Sequence, residues 1–151
     1  MTGRRDARVA ADASGSRQVS FFFASLLGTA AVTNGAYMLI SPAGWYFAVP
    51  GVTTTGPFNQ HFIRDIGIIF LFIGAAFLIG LLRRHYRVVL WGGATLWLAC
   101  HALFHLWEVA AGICGPSVLV RDFPAVSLPA LIGLALTLWA ERERRNPRTA
   151  G

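Results

Sequence analysis

Six side chains able to do chemistry cluster near the ends of two hydrophobic stretches: His61, Arg64 and Asp65 on one, His101, His105 and Glu108 on the other. His101, His105 and Glu108 follow i, i+4 and i+7 spacing. On a helix these three fall within one sector of about 60°. His61 and Asp65 share an i, i+4 face, with Arg64 on its edge. Such residue types are expensive in lipid and, where present, face a bundle interior and mark a function. With both acids ionised and the histidines neutral, Arg64 leaves the group with one net negative charge, a balance suited to a cation or a protonated imidazole.

Several chemistries fit. His61, Asp65, His101, His105 and Glu108 supply the nitrogen and oxygen ligands that a transition metal ion such as Zn, Cu, Fe or Mn takes. His61 and His105 could instead bind haem b as axial ligands, one from each helix. Carboxylate–histidine pairs also serve acid–base work, or proton-coupled movement of a small lipid-soluble molecule. A structural reading stands beside these: Arg64 forms an ion pair with Asp65 or Glu108, and the cluster holds helices together in an accessory subunit of a larger membrane complex. Whether the chain is an enzyme stays open. It contains no Walker loop, CxxC, GxSxG or HExxH motif.

The elements that must position these groups are membrane helices. The chain has 151 residues, of which 55% are hydrophobic and 13% charged; soluble domains carry about 25% charged residues. The pattern predicts an all-α, four-helix transmembrane bundle at about residues 19–40, 61–82, 88–113 and 123–140, within a membrane domain of 18–141. Pro124 falls in the first turn of the last span, where proline costs least, and Pro129 one turn deeper, where it can kink the helix. A polar tail of residues 1–17 is expected to be disordered, and 142–151 to be a second basic tail. The first span is too long for a signal-peptide core and is expected to be retained.

All 13 basic residues are arginine, and their distribution sets topology rather than nucleic-acid binding. Arg4, Arg5, Arg8, Arg17, Arg83, Arg84, Arg87, Arg142, Arg144, Arg145 and Arg148 fall at one end of the bundle; Arg64 and Arg121 fall at the other. That asymmetry places both termini in the cytoplasm. The absence of lysine matches the coding bias of a high-GC bacterium, so the expected location is a bacterial inner membrane, and the first partner is the lipid bilayer itself.

The other polar residues have plainer readings. His85 is expected to be solvated, Arg121–Asp122 to be a local surface pair, and Glu141–Arg144 a solvated helix end. Cys100 reads as a small apolar filler. Asn34 can reach the level of the histidines, with Trp97 and Phe104 flanking them. Residues 41–60, with three prolines, should be largely irregular, and Trp45, Tyr46 and Phe47 suit a membrane interface. Ala24, Gly28, Ala31 and Gly35 form a small-residue stripe, weakly matched by Gly67 and Gly74, which lets helices approach closely.

The run His61-Phe62-Ile63-Arg64-Asp65-Ile66-Gly67, with His101-Ala102-Leu103-Phe104-His105, resembles small bacterial four-helix membrane proteins with no assigned activity. By helix count and a glycine-containing second span, the chain also resembles the DoxX-like group. The resemblance implies a topology and no activity.

Overall fold

The structure, a computed structural model, describes residues 2–146, with side chains from residue 14 onward. Among these it is all-helical: α1 (Thr2–Ile40), α2 (Pro42–Ala48), α3 (Gln60–Leu82), α4 (Arg87–Ala110), α5 (Ser117–Asp122) and α6 (Ser127–Arg145). Three segments are long and apolar enough to cross a membrane: Ser14–Ile40, Gln60–Leu82 and Arg84–Ala110. The long helices pack in a ring, α1 on α3, α3 on α4, α4 on α6, and α6 back on α1.

Three expectations need correction. From Thr2 onward the polar tail continues the first helix, because alanine and arginine are good helix formers and no proline occurs before Pro42. Residues 41–60 hold α2 and a short 3-10 turn, Val52–Thr54, and so are less irregular than their prolines suggest. Pro42 opens α2, where its ring is tolerated. The last long helix starts at Ser127 rather than near Phe123. Backbone turns close residues 123–128, with Ser127 and Leu128 both donating to the Phe123 carbonyl. Pro129 therefore lies in the first helical turn, where its missing N–H costs nothing, and is not a mid-helix kink. The apolar part of α6, 127–140, would reach about 21 Å at 1.5 Å per residue, short of a hydrocarbon core of about 30 Å.

The small-residue stripe forms the α1–α3 seam. Gly35 faces Gly67, and Gly28 faces Gly74, in antiparallel register. A β-carbon on Gly35 would stand 2.6 Å from the Gly67 carbonyl oxygen, and one on Gly74 would stand 2.7 Å from that of Gly28. Backbones this close gain dispersion contacts along the whole seam, the main attraction available where lipid offers no hydrophobic drive. The α4–α6 seam repeats the device. Gly133 leaves room for Thr95, whose hydroxyl lies 3.2 Å from that of Thr137, and Thr137 donates to the Gly133 carbonyl.

The arginine-rich end is tied by Arg87, which is only 4% exposed. Its Nε donates to the Gly80 carbonyl at 2.9 Å, and its Nη1 pairs with the Glu143 carboxylate. The guanidinium lies against the rings of Phe21, Trp91 and Trp139. Elements α1, α4 and α6 thus meet at one charge, and the Arg17–Phe21 stretch of α1, the α3–α4 turn and the end of α6 share one end of the fold. Glu143 is therefore not part of a solvated helix end. Glu141 does fit that description: hydrogen bonds from exposed Arg144 and Arg145 hold its carboxyl down to about 2.

Candidate functional site

The opposite end carries His61, His101 and His105, and its geometry begins with how α4 stops. Gly112 adopts φ +73°, a left-handed conformation that glycine enters without strain. The Gly112 N–H bonds to the Val109 carbonyl and the Ile113 N–H to the Glu108 carbonyl, a Schellman closure that reverses the chain. Pro116 then leads into α5, which lies back against α4. This return places Asp122 beside His105.

His105 Nδ1 stands 3.5 Å from Asp122 Oδ2, with side chains 20% and 15% exposed. That distance is too long for a good hydrogen bond, and Nδ1 is buried with no hydrogen-bond partner among the described residues. On its other side Asp122 receives a two-pronged bond from Arg121, Nε at 2.6 Å and Nη2 at 3.1 Å. The bond to Asp122 pushes the Arg121 pKa up, so the guanidinium is a fixed cation. Arg121 lies in turn against Gly51, which has φ +87°. A β-carbon there would overlap the guanidinium carbon, so the 49–55 turn and α5 cap the site together.

Toward the interior, the His101 ring lies edge-on to His105 at 4.8 Å and stacks on Trp97 at 5.1 Å. Trp97 meets Phe70 of α3. The connected polar group is therefore His101, His105, Asp122 and Arg121. It can hold a proton on an imidazole with a carboxylate as counter-ion, and pass it toward the loops or the helix surface.

The other expected members stand elsewhere. His61 bonds to Asp65 at 3.2 Å, but these side chains are 90% and 55% exposed and turn away from the ring of helices. The reason is register: Ile63 and Gly67 take the buried face of α3, which leaves the His61–Asp65 face outside. His61 and His105 are thus not opposed as haem ligands would be. Among the described residues, no group of three or more His, Cys, Asp or Glu side chains lies close enough to hold a metal ion. His61, Asp65, His101, His105 and Glu108 do not converge. Arg64 forms no ion pair with Asp65 or Glu108; its Nε donates to the Leu39 carbonyl at 3.2 Å, near the last turn of α1. Asn34 accepts from Trp45 Nε1 at 2.9 Å, which pins α2 to α1 and turns Trp45 inward from the interface. Cys100 is exposed and fills no gap.

Asp122 is the member that sequence reasoning missed. As half of an Arg-Asp pair in a short loop it reads as surface, and only the glycine reversal brings it to α4. Glu143 left a fainter trace: it continues the α6 stripe Gly133, Leu136, Ala140 at helical spacing, all three buried.

Comparison with protein-family models, with curated proteins and with solved structures finds no match for this chain.

Proposed function

We propose that this chain is a four-span protein of a bacterial inner membrane, with both termini cytoplasmic, whose working site is an acid–base group at the outer end. One observation carries the site: the buried, unpartnered His105 Nδ1 facing the Asp122 carboxylate. A buried polar nitrogen without a partner is costly. Protonation would turn this near-contact into a charge-assisted bond once the groups close by about half an ångström. Two hydrogen bonds from Arg121 hold the Asp122 carboxylate in place beside the imidazole. The site would then take up and release a proton in step with a lipid-soluble molecule or a partner subunit reaching the loop end.

Infrared difference spectra between acidic and neutral protein in detergent test this. The carboxylate band of Asp122, assigned by its loss in Asp122→Asn, should shift when His105 charges. The same shift should vanish in His105→Gln. An unchanged spectrum in His105→Gln would sink the proposal.

The topology rests on the arginine asymmetry and on Arg87 gathering three basic segments at one end. In it, the turns from Phe123 and α6 together make the fourth crossing. A cytoplasm-dependent reporter fused after Gly151 should be active, and a periplasm-dependent one inserted at Thr54 should be active too. The opposite pattern would reverse the site's side of the membrane.

A second reading, an accessory subunit, is favoured by the outward His61–Asp65 pair, which is flanked by exposed Phe58 and Phe62. Such a pair suits contact with another membrane subunit.

A further inference from the structure

Between α1 and α6, the least extensive contact in the ring, the surface opens into an apolar groove of about 250 Å³. Val19, Ser20 and Phe23 line it from α1, and Ile132, Ala135 and Leu136 from α6. Its walls offer almost nothing to hydrogen-bond, so they suit a hydrocarbon chain. The charged residues below it are unevenly matched. On α6, Arg142 lies two turns below Ala135 on the same face; on α1, Arg17 lies one turn below Ser20. Both are exposed. The nearby carboxylates are already engaged, Glu141 by Arg144 and Arg145, and Glu143 by Arg87. Among the described residues, neither Arg17 nor Arg142 has a carboxylate partner.

We propose that this groove seats one anionic phospholipid, with an acyl chain along Val19, Phe23, Ile132, Ala135 and Leu136 and its phosphate between Arg17 and Arg142. Apolar length and two unmatched guanidinium groups at one end are the complement of that amphiphile; arginine also binds phosphate oxygens in a forked geometry. A zwitterionic lipid fits the groove but gains less from the two charges. A bound chain would also fill the weakest seam of the ring. The inference rests on the membrane reading and is independent of the His105–Asp122 site.

Native mass spectrometry of the full chain, released from mixed detergent with equal phosphatidylglycerol and phosphatidylcholine, tests it. One phosphatidylglycerol should be retained in preference. Arg17→Gln and Arg142→Gln should each lower that preference roughly five-fold, the effect of one surface cation on an anionic lipid. Ala135→Phe, which fills the groove from an exposed position, should displace the lipid while leaving both arginines in place. Equal retention of the two lipids, or unchanged retention in both Arg17→Gln and Arg142→Gln, or in Ala135→Phe, would overturn the proposal. So would displacement of the lipid by inorganic phosphate at millimolar concentration, since a free anion would then suffice. Failure of the membrane reading would be seen separately, as a chain absent from the membrane fraction.

Discussion

Glu143→Ala should be among the most damaging single changes in this chain, costing about 3 kcal/mol of stability. Arg87 is almost wholly buried, and among the described residues its one charged partner is Glu143, itself nearly buried. Removing the carboxylate leaves a guanidinium enclosed by Phe21, Trp91 and Trp139 with only the Gly80 and Leu81 carbonyls to satisfy it. An isolated buried charge costs far more than a surface pair gains. Unfolding in graded denaturing detergent measures the loss. Arg87→Met in the same background should recover much of it, because an apolar side chain of similar length removes the stranded charge. Glu141→Ala serves as the comparison: its partners are exposed arginines, and it should change stability far less than Glu143→Ala does. Equal losses for Glu141→Ala and Glu143→Ala would show that Arg87 does not hold the end of the fold.

Gly74→Leu should cost a further large amount, about 3 kcal/mol. The obstacle is backbone as well as the Val32 side chain, whose Cγ2 would stand 2.6 Å away. The first added carbon would meet the Gly28 carbonyl oxygen at 2.7 Å and the Val32 nitrogen at 2.8 Å. Elements α1 and α3 would have to separate, and the contacts of the Gly35–Gly67 crossing one register along would loosen with them. Gly93 is the matched control: it is also mid-helix, on the exposed face of α4, and a β-carbon there meets nothing within 4 Å. Gly93→Leu should be neutral or mildly stabilising, since leucine is the better helix former. A Gly74→Leu protein as stable as Gly93→Leu would mean that the seam is not closely packed.

Composition and pattern decided much of this protein. Apolar runs with few charges specify helices of membrane-crossing length, because in lipid only a helix satisfies the backbone's polar groups within a single segment. The glycine spacing on α1 and α3 already contained their seam, since only small residues at i, i+7 let two backbones touch. The stacking of Trp97 on His101 follows from i, i+4 spacing on one helix. These features are local, or repeat along one helix, and a linear sequence displays them directly.

The tertiary structure decided what each polar group meets. His61, Asp65, His101, His105 and Glu108 look convergent on a list of spans, yet the buried stripe of α3 rotates His61 and Asp65 outward. Asp122 reaches His105 only because a left-handed glycine at 112 turns the chain back over α4. Arg87 and Glu143, 56 positions apart, look like members of two solvated basic segments until α4 and α6 pack side by side. Helix rotation and chain reversal are set by the sum of packing contacts between elements. A shift of one residue, about 100° around a helix, is enough to move a charge from lipid to core.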